Sequence, residues 1–298
     1  MLRALPIISI AVNISPAMRF GRRAGHSLKG FIMRLLTIQR VRGGLCRSVL
    51  FASLAMTALL VGCAQQHPGK TLSAGFSQYQ QGSYASSNAT ANAYIQKFGH
   101  NPNVDEAYYL KGISCEARGD IAGAEAAYRA AIACSKRPDL TAKSYRSLGD
   151  MAYMKHSYSA AVTDYEASIS ADPNLAPGAW LLFRLGASLQ CEGQWGTARI
   201  YFARLLQDFP ASPPAQFALE RINMTHFALQ YAAFTVLTAA SREAAYLHMQ
   251  HIPAIVVPSE VGGRWLYMVQ SGDYPTWVMA AAEQMALKGR FPQVIVVP

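Results

Sequence analysis

The sequence predicts two modules of different architecture, an α-helical solenoid followed by a smaller α/β domain in which a β-α-β-β-α-β order forms a four-stranded antiparallel sheet. Three observations predict this organisation. A pattern with a period of 37 residues runs through the middle of the chain, from Gly75 to Gly112 and onward. Residues 227–298 instead alternate short apolar segments with two helical segments. An apolar run at 49–61, closely followed by Cys63, precedes both modules.

Each copy of the repeat predicts a pair of helices. A glycine lies in the first helix, and in the later copies the second helix carries an alanine and, four residues on, an aromatic. Residues three and four apart share a helix face, so the alanine lets the paired helices approach and the aromatic fills the space between neighbouring pairs. A proline is expected to stop each second helix. The recurring residues are Gly75, Gly112, Gly149 and Gly186; Ala124, Ala161 and Ala198; Tyr128, Tyr165 and Phe202; and Pro102, Pro138, Pro173 and Pro210.

Two consecutive units carry the fullest set of these residues. They are Leu148, Gly149, Tyr158, Ala161, Tyr165, Asp172 and Pro173, and then Leu185, Gly186, Gly193, Trp195, Ala198, Phe202 and Pro210. The set resembles the tetratricopeptide repeat, whose usual period is about 34 residues, with the additional residues here falling between units. The resemblance implies an array over 71–221 with a concave groove that binds a peptide or a partner protein. The degenerate first unit, 71–103, suits a terminal cap, and residues 213–221 are expected to form a closing helix.

The chain changes character after a linker at 222–226. Gly262 and Gly263 are expected to turn it between the second and third strands, and Thr276 to cap the second helix. The expected strands are 227–234, 252–257, 264–270 (ending at Gly272) and 293–297, and the expected helices are 241–250 and 276–288. The segments Leu-Gln-Tyr-Ala-Ala-Phe at 229–234 and Tyr-Met-Val-Gln-Ser-Gly-Asp-Tyr at 267–274 open the two halves. This echo resembles the SPOR domain over 227–298.

The SPOR resemblance implies binding to peptidoglycan glycan strands that have lost their stem peptides, as at division septa. Side chains alternate across a strand, so Gln230, Met268 and Gln270 are expected on the open face of the sheet. Amide groups can donate to and accept from the hydroxyl and acetamido groups of a glycan. Trp265 and Tyr274 flank the same strand and offer rings for stacking, although the strand parity of Trp265 points it toward the helices. The alternative makes Trp265, Phe234 and Trp277 core or edge aromatics. The predicted glycan site consists of Gln230, Met268, Gln270, Trp265 and Tyr274.

The N-terminal segment has the order of a secretory signal peptide. Basic residues precede the apolar run at 49–61, which is shorter than the about 20 residues that span a bilayer. Residues 60–63, Leu-Val-Gly-Cys, resemble the lipobox of bacterial lipoproteins. That resemblance implies removal of residues 1–62, lipidation of Cys63 and a linker over 63–70. A second apolar run at 4–18 indicates that residues 1–32 are an erroneous upstream start or a dispensable extension, with the true start at Met33.

Lipidation would determine the compartment. Two or more acyl chains hold a protein stably on a membrane. Ala64 follows Cys63, and a residue other than aspartate there implies, in that family, sorting to the outer membrane. The chain is therefore expected on the periplasmic side of the outer membrane.

Three cysteines follow Cys63, and because their number is odd, at least one must stay unpaired. Cys115, Cys134 and Cys191 are interpreted as small buried core residues, and a Cys115–Cys134 pair is not favoured.

The charge excludes a nucleic-acid partner. The formal net charge is +10, but nine of the 27 Lys and Arg residues precede Cys63, where no Asp or Glu occurs. The rest of the chain therefore carries 18 basic and 17 acidic residues, which leaves no basic field to attract phosphate. No catalytic constellation or phosphate loop occurs, and His248 and His251 lack a third metal ligand. We therefore expect no enzyme, cofactor or metal site.

The most consistent interpretation is a membrane-anchored envelope adaptor, with one module for the wall and one for a protein. Two alternatives remain open. A periplasmic scaffold for outer-membrane assembly or transport would use both modules for protein contacts and bind no glycan. A wall hydrolase would need a catalytic site that the sequence does not reveal.

Overall fold

The computed structural model describes residues 68–172, 178–261 and 263–298. Within them, an array of helical pairs precedes a four-stranded antiparallel sheet with two helices, which confirms the predicted fold class. The predictions about the signal segment and Cys63 lie outside the described residues. Among those residues, no helix has the length and apolar character needed to cross a bilayer.

The array consists of four helical pairs and a closing helix within the described residues. The closing helix begins at Pro213 and ends at Arg221, as predicted. In order, α1 to α9 are Pro68–Gln80, Tyr84–Phe98, Val104–Ala117, Ile121–Cys134, Pro138–Met154, Tyr158–Ala171, Ala179–Cys191, Trp195–Asp208 and Pro213–Arg221.

The recurring glycine and the recurring aromatic contact each other within a pair. A Cβ added to Gly149 in α5 would lie 2.7 Å from the ring of Tyr165 in α6, and one added to Gly186 in α7 would lie 2.6 Å from Phe202 in α8. Both rings are fully buried. The aromatic also packs against the following pair, since Tyr165 and Leu181 share one buried cluster. The glycine is therefore required because the ring lies directly on the backbone of the first helix.

Buried polar contacts reinforce the pairs. The hydroxyl of Tyr165 donates to Asp150 Oδ1 at 2.7 Å, and Arg184 of the next pair places Nη1 2.6 Å from the same oxygen. Burial and the nearby carboxylate raise the pKa of Tyr165, so the phenol stays protonated and donates. In the degenerate first unit, Ser87 occupies the alanine position and accepts from Ser114 Oγ at 2.8 Å.

The prolines agree with the prediction only in part. Helix α2 ends at Phe98 and α8 at Asp208, before Pro102 and Pro210 respectively. Pro138 instead begins α5, so the prediction that it stops the preceding helix is wrong. Its missing N–H is harmless at the first helical position, where no intrahelical acceptor exists. Pro173 lies outside the described residues.

The three cysteines that the structure describes are free thiols. Cys115 and Cys191 are buried, whereas Cys134, the last residue of α4, is exposed. The prediction of a core role for Cys134 is therefore wrong, because the helix ends there and its last two residues are exposed, whereas Ala131 in the same turn is buried. Burial raises the pKa of Cys191 to about 12.

The C-terminal sheet has the strand order β2-β3-β1-β4, with every neighbouring pair antiparallel. Thr276 caps the second helix by accepting from the N–H of Met279. Strand β3 continues to Tyr274 rather than ending at Gly272, because a register shift lets it keep pairing with Phe227. The elements are β1 Phe227–Phe234, α10 Leu237–Met249, β2 Ala254–Val261, β3 Arg264–Tyr274, α11 Trp277–Leu287 and β4 Ile295–Val297.

An aromatic cluster with a buried centre connects the last repeats to this sheet. Trp277 of α11 stacks on His156 with ring centroids 5.1 Å apart and meets Tyr158 edge-on at 5.4 Å. Trp195 of α8 donates from Nε1 to the carbonyl oxygen of Pro275 at 2.9 Å and contacts Phe227. We refer to these residues as the connecting cluster, whose buried members are Tyr158, Cys191, Phe227 and Ala280.

Candidate functional site

The two faces of the sheet differ in what covers them. Leu229, Tyr231 and Val269 are buried in one cluster with Ala240 and Leu247 of α10. Successive side chains of a strand point to opposite faces. The face that bears Gln230, Met268 and Gln270 is therefore the one opposite the helices, and we call it the open face.

Two glutamine amides meet at the centre of the open face. Gln230 on β1 lies directly opposite Gln270 on β3, and Gln270 Nε2 donates to Gln230 Oε1 at 3.3 Å. Strand β1 is internal, so Gln230 also has Ile295 of β4 as a neighbour, and only 8% of the residue is exposed. Gln270 is half-buried. The arrangement makes Gln270 the accessible amide and Gln230 the group that holds it.

Aliphatic side chains surround the amides. Ile255 pairs with Gln270 and is exposed, and Val257 pairs with the half-buried Met268. The sequence prediction missed Ile255, Val257 and Ile295. Both parities of residues 254–257 are apolar, so the alternation that would have distinguished a covered face from an open one is absent. The β2–β3 turn could have identified them, because it fixes the register that places Ile255 opposite Gln270 and Val257 opposite Met268.

Trp265 lies apart from the amides. It shares its strand parity with Val269, so it is on the helix-facing side of β3, near the β2–β3 turn and opposite Glu260. There it is 62% exposed. The structure therefore does not bring Trp265 together with Gln270, although both lie on one strand.

Tyr274 is also separated from the amides, since it lies at the end of β3 and pairs with Phe227. The register shift between Phe227 and Leu229 inserts an extra residue in β3, where Gly272 adopts a φ of 86°. The shift turns the Tyr274 ring toward the buried clusters of the sheet core and of the connecting cluster. Burial raises the pKa of Tyr274. The ring is a packing group.

The centre of the open face is uncharged. Paired positions around the amides are occupied by Ala233, Met268, Ile255, Val257 and Ile295. Charged residues of the hairpin lie at its far end, where Val261 pairs with Arg264. In the part of the chain that the structure describes, no three His, Cys, Asp or Glu side chains form a metal-binding group. The face can offer hydrogen bonds and apolar contact to a neutral ligand.

Several solved structures are similar to the chain. One is a tetratricopeptide repeat protein from Parabacteroides merdae, with a TM-score of 0.45, 13% identity and coverage of 62% of this chain and 66% of that one. Another is the APC/C hetero-tetramer Cut9-Hcn1, with a TM-score of 0.46, 16% identity and coverage of 58% and 32%. A third is PilW, described as a widely conserved type IV pilus biogenesis factor. It has a TM-score of 0.45 and 18% identity, and the match covers 57% of this chain and 77% of that one. The chain thus spans less than two thirds of the first two.

A comparison with curated protein sequences gives no match. The family comparison gives one over the C-terminal module, where residues 223–298 match the SPOR domain. The match covers all four strands and both helices of the sheet domain. It implies a peptidoglycan-binding, non-catalytic module. Residues 223–298 therefore form a SPOR domain.

Proposed function

We propose that this chain is a membrane-anchored envelope adaptor that binds peptidoglycan glycan strands through its SPOR domain and a protein through its helical array. The observation that carries the proposal is the amide pair of Gln230 and Gln270 on an uncharged open face, within a domain that matches a peptidoglycan-binding family. The role is one of binding and not of catalysis.

The chemistry of the open face suits a glycan without stem peptides. Such a strand offers hydroxyl and acetamido groups, which the Gln270 amide can bind as donor and acceptor. It also offers apolar ring faces, and the exposed Ile255 and the half-buried Met268 supply aliphatic surface beside the amide. Stem peptides carry carboxylates, and the centre of this face provides no cation to pair with them. We therefore infer a preference for denuded strands, as found at division septa.

The array supplies a second binding surface. Stacked helical pairs form a curved solenoid whose concave side is the usual binding surface of such arrays. The buried glycine–aromatic contacts and the Asp150–Arg184 ion pair make it a rigid support for a peptide or a partner protein. We propose that the partner bound by the array is thereby located on septal or remodelled wall.

The anchor completes the proposal. Lipidation of Cys63 after removal of residues 1–62 would hold the chain on the periplasmic side of the outer membrane, with both modules facing the wall. This part of the proposal depends on the sequence pattern at 49–63. Metabolic labelling with a palmitate analogue tests it, since wild-type protein should be labelled and a Cys63→Ala variant should not.

Co-sedimentation of the full chain with peptidoglycan sacculi tests the central part of the proposal. Sacculi would be used intact and after an amidase has removed the stem peptides. We expect binding that rises on the denuded material. Absence of binding to both preparations would contradict glycan recognition and favour the periplasmic scaffold. Cleavage of sacculi in a zymogram would instead indicate a wall hydrolase.

A further inference from the structure

Helix α11 carries a stripe of apolar residues on the side that faces solvent, with the exposed Glu283 at the edge of the stripe. Val278 is 62% exposed, Met279 52% and Met285 77%. Ala282, which lies between the two methionines in sequence, and Ala286, which follows Met285, are exposed as well. The opposite side of the helix contacts the domain, where Ala280 is buried and Gln284 donates to the carbonyl oxygen of Val294. We call the five exposed apolar residues the α11 stripe.

Such a stripe differs from an ordinary surface helix. A helix packed on one side normally presents charged and polar residues to water. Contiguous exposed apolar surface of this kind indicates an interaction site. The stripe lies on the helix side of the sheet, so it is separate from the open face and from the proposed glycan contact.

The spacing of the stripe is symmetric. Ala282 lies at its centre, with Met279 and Met285 three residues to either side. Val278 and Ala286 follow at four residues to either side. If a second copy of α11 packs antiparallel across Ala282, each Met279 meets Met285 of the other copy and each Val278 meets Ala286. A two-fold interface requires this kind of self-complementary pattern, and the small central alanine allows close approach.

The charges at the two ends favour the same arrangement. Asp273 precedes α11, and its side chain is exposed although it lies 3.7 Å from His226 Nδ1 of the same chain. Lys288 and Arg290 follow the helix and are exposed too. Antiparallel packing brings the acidic end of one copy beside the basic end of the other. The opposed helix dipoles also attract each other.

We infer that the α11 stripe is a homodimer interface formed by two copies of this chain. A contact between two helices of this length buries less surface than the about 1,200 Å² of a standard interface, so the dimer forms weakly and depends on concentration. The open face of each copy stays accessible, and the dimer therefore presents two glycan-binding faces. The inference does not depend on the proposed function.

Sedimentation velocity of the full chain in detergent over a concentration series tests this inference. Ala282→Glu places two carboxylates on the two-fold axis, and we expect it to weaken dimerisation at least tenfold. Ala245→Glu, on the exposed side of α10, makes the same substitution elsewhere in the domain and should leave the dimer unchanged. Equal association of the Ala282→Glu variant and the wild type would overturn the inference, as would a wild type that stays monomeric at about 200 μM.

A cross-link provides an independent measurement. In a Cys134→Ser background, Ala282→Cys should form an intermolecular disulfide under mild oxidation because the two Cβ atoms meet at the axis. Ala245→Cys in the same background should not. Equal cross-linking of the two variants would place the contact elsewhere and contradict the interface, even if neither glutamate variant folded.

Discussion

Trp277 connects the SPOR domain to the last repeats, and its replacement by alanine tests whether the two modules unfold together. The ring stacks on His156 at 5.1 Å and meets Tyr158 at 5.4 Å, and it packs against the buried members of the connecting cluster. Trp277→Ala removes these contacts without altering the open face. A cavity beside Tyr158 would remain.

The size of the effect follows from the burial. Truncation of a fully buried tryptophan costs about 3–5 kcal/mol, and Trp277 is half-buried. Each aromatic pair contributes about 0.5–1.5 kcal/mol beyond its buried area. We therefore expect Trp277→Ala to reduce the free energy of unfolding by about 2–4 kcal/mol. Trp265→Ala is the matched control, since Trp265 is 62% exposed and should change stability by about 0.5 kcal/mol or less.

Urea unfolding of the full chain, followed by far-ultraviolet circular dichroism and by tryptophan fluorescence, measures both variants. Wild type should show one transition by both probes, because the buried cluster couples the modules. Trp277→Ala should lower the midpoint and separate the two probes as the modules unfold independently. If Trp277→Ala matches Trp265→Ala in midpoint and the wild type already shows two transitions, the connecting cluster does not couple the modules.

Three further predictions follow from the same structure. Gly149→Ala should destabilise the array by about 1–3 kcal/mol in chemical denaturation, because its Cβ would lie 2.7 Å from Tyr165, and a gain in stability would contradict the assigned packing. Cys134 should react with a thiol reagent in native protein while Cys191 does not; its rate should rise with pH as the reactive thiolate forms, and partial burial, which raises the pKa of Cys134, moves that rise to higher pH than for a free thiol. Equal labelling of the two cysteines on a mass map would refute the assignment. Gln230→Ala should weaken glycan binding and also lower stability by about 1 kcal/mol, since the amide is buried; an unchanged affinity would remove Gln230 from the site.

The repeat architecture could be predicted from the sequence because its determinants are periodic. Glycine recurs at 112, 149 and 186 because in each pair an aromatic ring of the second helix lies on the backbone of the first, as Tyr165 does on Gly149. The order of strands and helices in the last module was predictable for a similar reason, because turn and cap residues such as Gly263 and Thr276 mark the element ends.

The parts that the sequence did not predict depend on tertiary context. The position of Tyr274 depends on a register shift in β3, and simple alternation along a strand cannot reveal a shift. The burial of Gln230 depends on β4 lying beside β1, which is a long-range pairing. The connecting cluster was not predicted because it joins residues of two modules, such as His156 and Trp277, that are distant in sequence.

Binding of a Gln270→Ala variant to denuded sacculi tests the central claim most directly. Gln270 carries the accessible amide of the open face, and its removal deletes hydrogen bonds worth about 1–1.5 kcal/mol, or about a fivefold to tenfold loss of affinity. Gln96→Ala, an exposed glutamine in the array, is the control and should bind like wild type. The account predicts that only Gln270→Ala loses affinity. Equal binding by all three proteins would show that the open face is not the glycan-binding surface.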